Sequence, residues 1–217
     1  MEQNLGRWKS TRSTSMGVAS GSADQDDVPG PRSAAPQVYP DVTHIALIGL
    51  MGAGKTTVGR ILAEQIGWRF ADTDYQIEAR TGHTVRELWN EGGEAAYRPL
   101  ETQAVVEALT ASEPSVLAAP GGVVDDEVAS GAVSDADVVT VYLRAGVDTL
   151  VERIGRDPGH RPLLDERPEE LIAQLFAQRD ANYEYLADVI VEVEHLTPGE
   201  AADAVHKALV GLAIRPT

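Results

Sequence analysis

GLMGAGKTT, residues 49–57, sets three glycines, an alanine and one lysine between an apolar run and a stretch with helical spacing. Ahead of it, HIALIGL (44–50) has the unbroken apolar character of a buried strand, and behind it KTTVGRILAEQIG (55–67) reads as a helix closed by Gly67. Gly49, Gly54, Lys55 and Thr56 satisfy the spacing G-x-x-x-x-G-K-[ST]. Without Cβ atoms in the way, successive backbone N–H groups can wrap an anion, and the helix start adds its positive dipole end. In such a loop the run Gly52, Ala53, Gly54, Lys55, Thr56 and Thr57 holds a nucleotide, Lys55 reaches the β and γ phosphates, and the Thr56 hydroxyl ligates Mg²⁺. A chance match in a chain this long arises at about 1% given ordinary residue frequencies. The loop therefore predicts a bound ATP.

Working outward, short apolar runs alternate with amphipathic stretches. WRFAD (68–72), SVLAAP (115–120), DVVTVYL (137–143) and DVIVEVE (188–194) read as further strands. TVRELWN opens a long helix with Thr84 and Glu87 in capping-box spacing, ending near Leu109. AGVDTLVERIG and PEELIAQLFAQRDANYEYLA read as helices, and Thr197, Pro198 and Glu200 cap a last one that runs to about Leu212. Strands separated by helices imply right-handed crossovers and a mostly parallel sheet covered on both faces, an α/β domain without internal repeats.

The chain has 217 residues, enough for one domain with a tail. Residues 1–40 are rich in Ser, Gly, Ala, Pro and Asp with almost no periodic apolar content, so they are expected to stay disordered, with Met16 an alternative start. Asp24, Asp26 and Asp27 argue against a transit peptide, the N-terminus lacks the short apolar run of a secretory signal, and no stretch of about 18 apolar residues could span a membrane. A cytoplasmic protein without membrane partners is expected. The absence of cysteine excludes disulfides, thiolate metal sites and cysteine nucleophiles. A formal charge of −16, all of it arising in residues 41–217, argues against nucleic acid as a partner.

The second half of the reaction has its own candidates. ADTD (71–74) puts Asp72 and Asp74 at the carboxyl end of the second strand, where open α/β sheets bind ligands. Two residues apart on extended chain they share a face, so Asp72 would assist Mg²⁺ and Asp74 would bind a hydroxyl or take its proton. The plainer alternative is that they cap the next helix. APGGVV (119–124) ends the third strand in Gly121 and Gly122, where backbone can approach a ligand or the chain simply turns. Arg98 stands ahead of a helix, Arg179 lies mid-helix, and Arg161 sits in RDPGHRPLLDERP, whose charge and prolines suit a mobile lid over residues 155–168. The five histidines lack metal-ligand spacing; Trp68 and Trp89 suit core or pocket wall, and Tyr183 and Tyr185 helix packing.

GLMGAGKTTVGR, DTD followed by IEARTG, GEAAYRPLE, the glycine pair, RPLL and the arginine before NY together resemble shikimate kinase, over residues 43–212. The resemblance implies a P-loop three-layer sandwich of the nucleoside-monophosphate-kinase type, its five-stranded parallel sheet ordered 2-3-1-4-5. It implies that Asp74, Arg98, Arg179 and the Gly121 and Gly122 backbone bind shikimate, and that Arg161 swings over the transferred phosphoryl group. It also puts Lys55, Asp74 and Arg161 in catalysis, Thr56 and Asp72 at Mg²⁺, and Arg153 near adenine, in a monomer. Arginine pairs suit any carboxylate or phosphate, but Asp74 would repel a nucleotide monophosphate and favours neutral hydroxyls.

Two prolines depart from the family pattern. Pro120 replaces a glycine and removes an N–H that could touch the acceptor. Pro99 pushes Arg98 from helical angles, placing it at a helix start or kink. Both leave open a kinase of another polyhydroxy acid such as gluconate. A nucleotide-binding regulator that has lost transfer is the alternative of a different class.

Overall fold

The computed structural model describes residues 42–156 and 168–213. The tail, Arg161 and residues 157–167 of the predicted lid lie outside the described residues. Five strands, β1 (His44–Ile48), β2 (Arg69–Asp72), β3 (Ser115–Ala118), β4 (Val138–Arg144) and β5 (Val189–Glu192), form one sheet in the order β2-β3-β1-β4-β5, every pairing parallel. This is the order the resemblance implies.

All five residues of β1 are buried, so both faces of the sheet's centre are covered. The covering helices are α1 (Lys55–Ile66), α2 (Thr73–Thr81), α3 (Val85–Leu109), α4 (Glu127–Val133), α5 (Val147–Arg156), α6 (Pro168–Leu186) and α7 (Pro198–Ala213). α1 packs on β2, β3 and α7, and α7 on β5; α3 packs on β3 and α4, while α4 and α6 pack on β4. Ile45, Leu47, Leu62, Leu117 and Leu143 lie at the centre of the core, where truncation to alanine costs about 2–5 kcal/mol each. A separate apolar cluster of Ile77, Val85, Tyr97 and Ala104, flanked by Leu88, Trp89 and Leu100, joins α2 to α3.

Gly67, in the left-handed region at φ 72, ends α1 as expected. The expected capping box of Thr84 with Glu87 forms, and the expected cap of α7 is a second such box, Thr197 with Glu200.

Three local expectations are corrected. The chain turns helical at Thr73, so Asp74 sits in the first turn of α2 and not on extended chain beside Asp72. Arg98 lies inside α3, and the kink falls at Gly93 (φ 65, ψ −172), because glycine accepts that backbone while Pro99 is tolerated within the following segment. The stretch after β3 is no simple turn: it forms a 3₁₀ turn (Val123–Asp125) and then α4, capped by the Asp126 side chain.

Candidate active site

The loop between β1 and α1 is shaped by glycine at two points. Gly52 has φ 84, and a Cβ there would stand 2.9 Å from the Leu150 carbonyl oxygen and 3.1 Å from Ile154 Cγ1, so the loop is pressed onto α5. Gly54, the N-cap of α1, has φ 95 and supplies no side-chain cap. The first N–H groups of α1 are thus left for an anion. Ala53 is buried beneath the loop, and Thr57 is exposed on the first turn. The Lys55 amine donates to the Gly49 and Leu50 carbonyls at 2.7 and 3.1 Å, spanning the loop it serves.

Asp72 joins this loop to the next strand. Its Oδ2 accepts the Thr56 hydroxyl at 2.7 Å, and its Oδ1 accepts the Asp74 amide at 3.0 Å as the N-cap of α2. The capping reading of this aspartate is therefore realised through Oδ1, while Oδ2 is held by the first turn of α1. No cluster of three His, Asp or Glu side chains suited to a metal occurs among the described residues. Mg²⁺ fits this donor set, since it characteristically takes one or two protein oxygens together with substrate phosphates and water.

The glycine pair after β3 seats two arginines. A Cβ on Gly122 would stand 2.5 Å from Arg98 Nη1, and one on Gly121 would stand 3.9 Å from Arg179 Nη1. The two guanidinium groups thus flank consecutive residues, whose Cα atoms are about 3.8 Å apart. Arg98 donates through Nε and Nη2 to Glu94 and through Nη1 to Glu101, with its guanidinium 5.6 Å from the centre of the Trp89 ring. Arg179, on the buried face of α6, pairs with Asp125 of the 3₁₀ turn at 2.5 Å. Burial raises the Glu101 carboxyl above its ordinary value, Arg98 opposes this, and Asp74 and Arg179 act on it more weakly. One buried acid therefore feels all three residues expected at the acceptor.

Three contributors were missed from the sequence. Glu101 lay within GEAAYRPLE but was not singled out, although three residues after Arg98 is the spacing of a helical ion pair. Tyr183, expected only to pack, is fully buried and donates to the Gly121 carbonyl at 2.5 Å, tying α6 to the glycine pair. Tyr97 donates to Asp74 Oδ1 at 3.1 Å. Arg153, expected near adenine, donates to the Val193 and Glu194 carbonyls at 2.6 and 3.3 Å. Pro120 is buried and its carbonyl accepts the Val123 amide at 3.1 Å, starting the 3₁₀ turn. His44 bonds Ser115 and the Ala111 carbonyl, a packing role.

A phosphate loop at the middle strand of such a sheet, with paired guanidinium groups across from it, defines a P-loop phosphotransferase acting on a small molecule. A family model for shikimate kinase matches residues 51–210. Shikimate kinases from Aromatoleum aromaticum and Thermobifida fusca are 43% and 42% identical, over 76% and 75% of this chain and 93% and 92% of their own. A solved shikimate kinase from Acinetobacter baumannii, in complex with shikimate, superposes with a TM-score of 0.76 at 32% identity, over 80% of this chain and 96% of that one. The chain belongs to the shikimate kinase family.

Proposed function

We propose that this chain transfers the γ-phosphoryl group of ATP to a hydroxyl of shikimate, giving shikimate 3-phosphate and ADP on the route to aromatic amino acids. The observation that carries this reading is the convergence of Arg98 and Arg179 on the Gly121–Gly122 pair, with Asp74 in electrostatic reach of the same buried acid.

The residues divide the work. Backbone N–H groups of residues 52–57 hold the phosphates, and the Lys55 amine exchanges loop carbonyls for phosphate oxygens. Thr56 and Asp72 hold Mg²⁺, which when bound neutralises charge gathering on the phosphoryl group. Arg98 and Arg179 grip the acceptor carboxylate; each fork still has N–H donors beyond those given to Glu94, Glu101 and Asp125. Asp74 receives the proton as the acceptor oxygen bonds to phosphorus and the bond to ADP breaks. Pro120 has no N–H, which leaves Gly121 and Gly122 to supply backbone contacts. Arg161 acts on the transferred group, and Arg153 borders the adenine. The protein acts as a monomer in the cytoplasm on this small acid, without nucleic acid or membrane.

The test is coupled ADP release with ATP and Mg²⁺ against shikimate, gluconate, AMP and no acceptor. Turnover with shikimate alone is expected. Equal or greater turnover with gluconate would reassign the acceptor, and ATP binding with no acceptor-dependent release would leave only a nucleotide-binding regulator.

A further inference from the structure

Asp74 occupies an awkward position for precise work. It is exposed, it lies in the first turn of a nine-residue helix, and an aspartate there rotates about two torsions. Tyr97 is its opposite. The residue is 3% exposed, and its ring sits in the α2–α3 cluster with Ile77, Val85 and Ala104, edge-on to Trp89 at 5.7 Å between ring centres. A side chain with two torsions, clamped in this way, presents its hydroxyl at a fixed point. That point is 3.1 Å from Asp74 Oδ1, across 23 residues of sequence.

We propose that Tyr97 is a positioning residue for the phosphoryl transfer, its buried hydroxyl fixing the carboxylate of Asp74 toward the acceptor. The inference rests on the reading of Asp74 as the acceptor-facing acid. Burial, and after it the charge of Asp74, raise the phenol well above its ordinary value, so it remains a neutral donor throughout the working range. Packing alone gives no reason for the hydroxyl, because a phenylalanine fills the same space. The phenol therefore fixes one oxygen of the Asp74 carboxylate in place. The same carboxylate is tied through its own backbone amide to Asp72 Oδ1, whose other oxygen holds Thr56. The apolar cluster is thereby linked by one hydrogen-bonded chain to the phosphate loop.

The test is a double-mutant cycle on the full chain, titrated calorimetrically with shikimate and separately with ATP. Tyr97→Phe keeps the ring and removes the donor; Asp74→Ala removes its partner. A hydrogen bond to a charged group supports about a tenfold loss of shikimate affinity in Tyr97→Phe, with ATP affinity unchanged. In the Asp74→Ala background the same substitution is expected to change shikimate affinity less than twofold. Unchanged shikimate affinity in Asp74→Ala alone would remove the reading of Asp74, and the inference with it. If Asp74→Ala weakens binding but Tyr97→Phe does not, or if the two losses multiply, Tyr97 serves packing only. A parallel loss of ATP affinity in Tyr97→Phe would likewise mark a general structural role and overturn the proposal.

Discussion

The Thr56 hydroxyl donates to Asp72 Oδ2 at 2.7 Å, binding the first turn of α1 to the end of β2. This pair brings a phosphate-loop hydroxyl and a carboxylate to the same point, while the other Asp72 oxygen caps α2. Asparagine is nearly as good a cap as aspartate but carries no charge. Asp72→Asn is therefore expected to leave thermal stability almost unchanged while raising the Mg²⁺ concentration needed for half-maximal activity. Asp72→Ala should add a loss of about 1 kcal/mol from the missing cap. Denaturation curves and Mg²⁺ titrations separate the two roles; an unchanged Mg²⁺ requirement in Asp72→Asn removes this residue from the metal.

Lys55 supplies the loop's cation, its amine lying 2.7 Å from the Gly49 carbonyl. Methionine matches its length without charge. Lys55→Met should reduce kcat by about 10²–10³-fold, the size seen when a preorganised charge-stabilising donor is lost. Wild-type turnover in this variant, measured by ADP release, would take Lys55 out of the mechanism.

The loop and its flanking strand and helix are legible because they rest on local chemistry: three glycines at fixed spacing, then an apolar face that repeats with helical period. The two capping boxes are legible for the same reason, as each is written within four residues. Helix α2 is not, since only Thr73 and Ile77 of its nine residues are buried and an apolar face hardly shows. Helix α4 has seven residues and two buried ones, Ala129 and Val133. The kink at Gly93 is obscured in the sequence by Pro99, the stronger helix-breaking residue six positions on. Strand order came from the family likeness, not from periodicity. The arginine partners divide by distance along the chain. Glu94 and Glu101 lie within one helical turn of Arg98, whereas Asp125 is 54 positions from Arg179, and only folding brings that pair together.

Gly122 tests the guanidinium seat without straining the backbone, because its φ of −85 suits any residue. An added Cβ would meet Arg98 Nη1 at 2.5 Å, and the flexible arginine end must give way. Gly122→Ala should thus fold normally yet raise the KM for shikimate about 10- to 100-fold, the equivalent of one charge-assisted hydrogen bond, with the KM for ATP unchanged. Steady-state kinetics with each substrate varied in turn decide it. A normal shikimate KM would mean that Arg98 is not needed where it now stands.

Arg179 is 8% exposed and has Asp125 as its acid partner. Arg179→Ala should weaken shikimate binding about 10- to 100-fold while ATP binding stays within twofold. Arg179→Lys should recover only part, because an ammonium cannot present the planar fork that grips a carboxylate. Equal losses for both substrates would contradict a carboxylate role.

Glu101 carries a pH signature of its own. The residue is 8% exposed, and burial raises its carboxyl above the ordinary 4.5 against the pull of Arg98. Between the unfolded and the folded pKa the native state holds a proton that the unfolded chain has released, so native stability falls as pH rises through that window. Glutamine keeps a hydrogen-bonding oxygen for Arg98 and cannot titrate. The difference in thermal midpoint between Glu101→Gln and the unmodified chain is therefore expected to move in favour of the variant as pH rises from 4.5, and to level off once the native carboxyl has ionised. Shikimate affinity should nevertheless fall in the variant at neutral pH, because a neutral amide holds Arg98 less firmly than a carboxylate does. A midpoint difference that stays flat from pH 4 to pH 8 would show that the folded and unfolded carboxyls titrate alike, and that burial of Glu101 carries no penalty for its charge.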